Sequence, residues 1–154
     1  MTGSPKVLKA LNAVLADELT AINQYMVHSE MCDNWGYEHL HKAIEKRAVE
    51  EMHHAESLIA RILFLDGTPT VTKLNAIVVG RNVKEMVAND NKAEQGAVKA
   101  YNEAIHTAVD AADNGTRELF EKILKDEEAH LDWLEAQRDQ IEQMGLENYL
   151  ANQA

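Results

Sequence analysis

Cysteine is almost absent from this 154-residue chain: Cys32 stands alone, which excludes an intramolecular disulfide and any Cys-x-x-Cys metal or redox motif. One thiol fits a reducing compartment and is expected to be inert and partly buried. Basic residues are outnumbered, 15 Lys and Arg against 26 Asp and Glu for a formal net charge of −11, and they lie scattered among the acids. Nucleic acid is therefore not an expected partner, because phosphate contacts need clustered Lys and Arg. Cations are the natural small partners of such a field. No apolar run approaches the roughly 18 residues of a membrane span. The opening Met1-Thr2-Gly3-Ser4-Pro5-Lys6 lacks the basic segment and apolar run of a secretory leader. A cytoplasmic protein with no membrane association is the expectation.

Proline and glycine are also scarce, two and seven, and they fall where helices should start or stop. Ser4-Pro5 supplies an N-cap and a first-turn proline. Apolar residues then recur at Leu8, Leu11, Leu15, Ile22 and Tyr25 until Asn34-Trp35-Gly36 ends the run. A second helix is predicted from about Tyr37 to Leu65, closed by Asp66-Gly67. The segment from Thr68 to Gly80, with Pro69 and the apolar Ile77-Val78-Val79, reads as a long packed crossover. A third helix is predicted from Asn82 to Asn114, broken at Gly115, and a fourth from about Thr116 to Met144. Gly145 stops it, leaving Leu146 to Ala151 for a short fifth helix. Helices of this length, each about 40 Å long, joined by short, long and short connections, predict an all-α four-helix bundle in which helices two and three run parallel. The whole of 1–154 is expected to form one domain.

The chain also contains a duplication. Glu18 precedes Glu51-Met52-His53-His54 by the same 33 residues (18 to 51) by which Glu94 precedes Glu127-Glu128-Ala129-His130 (94 to 127). Tyr25 and Tyr101 follow their glutamates at equal spacing, and Glu50 and Asp126 put a second acid just before each Glu-x-x-His. On a helix, residues three apart lie about 60° from one another, so Glu51 with His54, and Glu127 with His130, can each grip one ion. Four buried carboxylates without counter-charge would be strongly unfavourable. Two divalent cations balance them, and four glutamates with two Glu-x-x-His motifs is the ligand pattern of ferritin-like carboxylate bundles. Oxygen ligands with one imidazole per ion suit iron, manganese or, less well, zinc, and the missing thiolates disfavour copper and iron–sulfur clusters. Iron is preferred, because two adjacent redox ions can pass two electrons to dioxygen or peroxide.

Roles within this set follow from its symmetry. Glu51 and Glu127 are the expected bridges; Glu18 and Glu94 are the expected single-ion ligands. Glu50 and Asp126, each four residues before a ligand histidine, are placed to accept its second ring N–H, and an inward-facing iron site is the competing role for Glu50. Tyr25 is a candidate electron donor or a core tyrosine. His28, His39, His41, His53 and His106 lack matching acids and read as structural or surface residues. Met52 breaks the repeat, since Glu128 occupies its counterpart. It points about 100° from Glu51, onto the outside of the bundle. Ala48, Val49, Ile59, Leu19, Ile22 and Met26 surround it with apolar stripes, which suits either a dimer contact or an axial thioether ligand to haem.

The chain resembles the bacterioferritins through Asn23-Gln24-Tyr25, Asn34-Trp35-Gly36, Glu50-Glu51-Met52-His53-His54-Ala55, Arg61-Ile62-Leu63-Phe64-Leu65, Asp126-Glu127-Glu128-Ala129-His130 and Met144-Gly145-Leu146-Glu147-Asn148-Tyr149-Leu150. The resemblance implies that Glu18, Glu51, His54, Glu94, Glu127 and His130 form a ferroxidase centre for two iron ions per subunit, oxidising Fe²⁺ with O₂ or H₂O₂. It implies a b-type haem held by Met52 and the same residue of a second subunit, and a hollow 24-subunit homo-oligomer of haem-bridged dimers that stores ferric mineral. Iron release would follow electron delivery through haem, with a small ferredoxin as a candidate reductant. Asn34, Asp66, Asp132 and Asp139 match pore positions of relatives. Lys46 and Arg47 stand where some relatives carry histidine and glutamate, which argues against an inner-surface iron site. Two other functions fit a dimetal bundle: a ferritin-like di-iron peroxidase, disfavoured because one cysteine cannot build the rubredoxin module of such enzymes, and a haem-bridged electron carrier without storage.

Overall fold

The computed structural model describes residues 1–154 as five helices: α1 (Pro5–Asn34), α2 (Glu38–Phe64), α3 (Val83–Asp110), α4 (Asn114–Met144) and α5 (Leu146–Ala151). Pro5 opens α1 as the sequence predicts; Ser4 takes the extended N-cap position ahead of it, but its side chain makes no capping hydrogen bond. At the other end Gly36 takes a φ of +83°, which turns the chain sharply into α2.

Side-chain pairings set the helix directions. Residue 18 meets 101 and residue 25 meets 94, so α1 and α3 are antiparallel. Residue 50 meets 130 and residue 54 meets 126, so α2 and α4 are antiparallel as well. With a tight turn between α1 and α2, this makes α2 and α3 parallel, and the long connection between them must climb the bundle. Residues 68–80 do so along α1. Thr70 N–H donates to Asn12 at 2.8 Å, Asn75 N–H to Thr20 at 2.8 Å, Val78 N–H to Gln24 at 3.0 Å, and Gly80 N–H to His28 at 2.9 Å. Polar side chains on one stripe of α1 thus satisfy the backbone of a segment that has no secondary structure of its own.

One boundary differs from the sequence expectation. The third helix ends at Asp110 rather than Asn114, and the fourth starts at Asn114 rather than Thr116. Ala112 takes a φ of 54°, and Asp113 caps α4 by accepting from Thr116 N at 3.0 Å and Thr116 Oγ1 at 2.7 Å. Gly115 lies inside the first turn of α4. A Cβ there would meet the Arg61 guanidinium at 2.6 Å, so this glycine admits a neighbouring side chain rather than stopping a helix.

Apolar residues form two cores along the bundle. One joins Leu11, Leu15, Leu58, Ile62, Tyr101 and Phe120; the other joins Tyr25, Leu40, Ile44, Met86, Ile141 and Tyr149. Between them lies a buried layer of charge, fronted on either side by Tyr101 and Tyr25. The segment after Gly145 closes one end: Tyr149 Oη donates to Gln137 at 2.7 Å, and His39 N–H donates to the Gln153 carbonyl at 2.9 Å. No helix is long and apolar enough to cross a membrane.

Candidate metal centre

All four long helices contribute to the charged layer. Glu18 comes from α1, Glu51 and His54 from α2, Glu94 from α3, and Glu127 and His130 from α4, and each is at most 6 % exposed. Their ligand atoms form two groups of four: Glu18, Glu51, His54 and Glu127, then Glu51, Glu94, Glu127 and His130. Glu51 and Glu127 belong to both, as the pseudo-symmetry of the sequence predicts for bridging carboxylates. His54 Nδ1 lies 3.1 Å from Glu127, 3.5 Å from Glu18 and 3.6 Å from Glu51. His130 Nδ1 lies 3.0 Å from Glu51, 3.5 Å from Glu94 and 3.6 Å from Glu127.

Donor chemistry tests whether this set fits metal. Glu18 Oε2, Glu51 Oε1, Glu94 Oε2, both Glu127 oxygens, His54 Nδ1 and His130 Nδ1 are buried without a hydrogen-bond partner. Buried polar atoms are normally paired. Here the orphaned lone pairs converge on one volume, an arrangement that two cations would satisfy.

The outward nitrogens are paired, but not as the helical spacing suggests. Asp126 Oδ2 on α4 lies 2.8 Å from His54 Nε2 on α2, and Glu50 Oε2 on α2 lies 2.5 Å from His130 Nε2 on α4. The expected partners within one helix, Glu50 for His54 and Asp126 for His130, are thus exchanged. With Nδ1 turned into the centre, each ring sends Nε2 across the groove to the facing helix. Antiparallel α2 and α4 bring 54 level with 126 and 50 level with 130. Glu50 is therefore paired with a histidine, and Arg47 is buried in the bundle.

Tyr25 Oη donates to Glu94 through a short hydrogen bond, and Tyr101 Oη donates to Glu18 Oε1 at 2.6 Å. Each tyrosine of one half of the repeat thus holds the single-ion glutamate of the other. Beside Tyr25, the Arg47 guanidinium lies 4.4 Å from the tyrosine ring centroid and 4.9 Å from that of Trp133, and it pairs with Asp90 at 3.3 Å. Asp90 also accepts from Gln24 at 2.9 Å and pairs with His28 Nδ1 at 2.9 Å, while His28 Nε2 takes the Gly80 N–H. His28 is structural, as expected. Arg47, Asp90 and this network are not anticipated, although Leu40, Ile44, Arg47, Glu51 and His54 do follow one buried helical stripe in the sequence.

Protonation reflects the crowding of acids. Burial alone pushes His54 down, but Glu127 and Glu18 beside it carry it up to about 11. Burial likewise opposes His130, and Glu127 and Glu94 carry it up to about 10. Burial, then the neighbouring Glu18 and Glu127, push Glu51 well above the carboxylate range; burial and Glu127 push Glu94 up to about 7. Burial opposes ionisation of Glu127, yet Glu94, His130 and His54 hold it below its ordinary value. At the rim, Asp17 is pushed up to about 6 by burial and by Glu18.

Met52 lies on the outside, 44 % exposed. A groove of about 320 Å³ runs beside it, lined by Ile22, Met26, Ala48, Val49 and Met52 with Ser29, Glu30 and Glu45 at its polar edge. Leu19 and Ile59, expected on the same stripe, are partly buried and pack against the core, as Ile22 does. Asn34, Asp66, Asp132 and Asp139 are all exposed; Asp66 pairs with the amino terminus at 3.1 Å and Asp139 with Arg138 at 3.1 Å. His39, His53 and His106 are on the surface, and His41 bonds Ser29.

Residues 8–144 match the ferritin-like domain family. The chain is 40% identical over 149 residues to a bacterioferritin of Brucella melitensis, covering 97% of this chain and 92% of that protein. It is 40% identical over 151 residues to a bacterioferritin of Mycobacterium avium, covering 98% and 95%, and 38% identical over 149 residues to one of Rhodobacter capsulatus, covering 97% and 92%. Five helices in ferritin-like order, a duplicated ligand set in one buried layer and likeness along nearly the whole chain lead to one conclusion: this chain belongs to the bacterioferritin family.

Proposed function

We propose that this protein captures ferrous iron, oxidises it at the centre between the two cores, and stores the ferric product. The observation that carries this reading is the pair of four-ligand groups sharing Glu51 and Glu127. Glu18 and His54 would complete one Fe²⁺ site, and Glu94 and His130 the other. Two adjacent Fe²⁺ ions give up one electron each; dioxygen takes both with two protons to form H₂O₂, or H₂O₂ takes both with two protons to form two waters. The chain supplies carboxylates that ionise as the metal displaces their protons, and Asp126 and Glu50 keep the imidazole Nδ1 lone pairs turned inward. Tyr25, bonded to Glu94, is placed to give an additional electron and is assigned that supporting role.

Stopped-flow absorbance of ferric species tests the reaction: wild type should show a fast phase that Glu127→Ala removes with the helices intact, and an unchanged fast phase would falsify the assignment. Storage requires a closed assembly, 24 subunits in this reading, and a cytoplasmic location. Ultracentrifugation should find a large particle carrying far more than two irons per chain; a stable monomer or dimer would rule storage out.

The groove at Met52 fits a flat apolar group. A thioether has no proton to lose and suits iron in either oxidation state, so Met52 and the same residue of a second copy would hold a b-type haem, with Ile22, Met26 and Val49 supplying apolar surface in the same groove. Haem there supplies a one-electron carrier for iron release, with a small ferredoxin as the expected donor. Met52→Leu should abolish haem uptake, read in visible and near-infrared spectra, while leaving fast iron oxidation intact. Equal haem uptake by both proteins would move the ligand elsewhere.

A further inference from the structure

A passage of about 240 Å³ opens between α1 and α3 beneath the crossover and reaches Glu18, Glu51, Glu94 and Glu127. Its inner end is made of the unpartnered carboxylate oxygens described above, each on a side chain at most 2 % exposed. Its walls are small residues, Ala21, Ala76, Ala93, Gly96 and Ala97. At the mouth stands Asp17, one residue before Glu18. Asn75 of the crossover is fastened beside it: Asn75 N–H donates to Thr20 Oγ1 at 2.8 Å, and Asn75 Nδ2 donates to Asp17 Oδ1 at 2.5 Å. Asp17 Oδ2 has no protein partner. Lys92 also lines the passage, and Lys73 lies close enough to Asp17 to favour its ionised form.

We propose that Asp17 is the first ligand an incoming divalent cation meets, a transit carboxylate that Asn75 holds at the mouth and that passes the ion to Glu18. The inference rests on the metal-centre reading above and adds a step to it. Asp17 is absent from both four-ligand groups, so its effect is on the rate of loading and not on the number of ions held. Asn75 spends its amide on Oδ1 and leaves Oδ2 for the cation. Gly96 is an exposed residue of the lining, and a Cβ there meets nothing within 4 Å, so a larger side chain can be introduced on that wall without a clash.

Stopped-flow uptake of Co²⁺ by the metal-free assembled protein, read by its d–d absorbance, separates loading from oxidation. Wild type should take two Co²⁺ per chain. Asp17→Asn should keep two but lose on the order of 3- to 10-fold in the bimolecular rate, the factor for one carboxylate acting on a divalent ion in a wet cleft. Asp17→Glu should restore most of that rate, and Gly96→Leu should slow uptake without changing the final count. Full wild-type uptake with an unchanged Asp17→Asn rate overturns this inference alone, as does loss of an ion in Asp17→Asn, which would make Asp17 part of the centre. Fewer than two Co²⁺ in wild type overturns the metal-centre reading and this inference with it.

Discussion

At the scale of single residues, the ligands follow from the sequence and their supports do not. Six ligand positions are legible because each half repeats glutamate and Glu-x-x-His at equal spacing, and chemistry leaves few uses for four buried carboxylates facing two imidazoles. Which acid serves which histidine depends on the level at which two helices face each other, and spacing within one helix cannot supply it. The exchange is testable by double-mutant cycles on metal affinity. Asp126→Ala and His54→Ala share a contact and should be strongly non-additive, whereas Asp126→Ala and His130→Ala should be more nearly additive. Each acid removed alone should weaken metal by about 10- to 100-fold. Coupling of Asp126 with His130, measured by titration calorimetry with Co²⁺, would reverse the assignment. Arg47 was hidden for a similar reason. A lone cation among acids reads as solvated, and only its place on the Leu40–Ile44–Glu51–His54 stripe marks it as buried.

At the scale of helices, periodicity located α1, α2 and α5 within a residue or two, because proline, glycine and polar caps coincide with the ends of the apolar stripes. The α3–α4 junction was misplaced because Asn114-Gly115 looks like a stop signal. Its glycine instead answers a contact that comes from α2, 54 residues earlier in the chain (61 to 115). Arg61 bonds Asp113 at 2.8 Å and Thr116 Oγ1 at 2.9 Å, so one side chain ties the end of α2 to the start of α4. Asp113→Ala removes both the cap and the partner of Arg61. Denaturant unfolding of the metal-free protein should show a loss of about 1–3 kcal/mol. Gly115→Ala should displace the guanidinium and lower stability by a comparable route, without a change in metal stoichiometry. A variant of Asp113 as stable as wild type would mean that the helix start is held by the packing of Phe120 and Ile123 alone.

For the molecule as a whole, the charged layer sets two apolar cores against a shared electrostatic strain, and pH reveals it. Burial and Glu127 push Glu94 up to about 7 from an ordinary 4.5, so the stability it contributes in its protonated form is complete below 4.5 and is lost as pH rises through 7. Glu51, raised well above its ordinary value, acts in the same direction. His54 and His130, raised to about 11 and 10, contribute fully below 6.5 and lose that contribution as pH climbs towards those values. Glu127, lowered, has the opposite sign, but its contribution is lost only as pH falls below the carboxylate range. Between pH 6 and 8.5 the losses dominate, so the metal-free protein should melt at a progressively lower temperature. Metal reverses the sign. Its ligands must be deprotonated, binding is favoured as pH rises, and whatever binds only the folded state stabilises it. Scanning calorimetry at pH 6 and 8.5, with chelator and with Zn²⁺, should therefore show a metal-induced rise in Tm that is larger at the higher pH. A chelated protein whose Tm held steady or rose over that range would mean that protonation of the four carboxylates and two imidazoles does not relieve a strain in this layer.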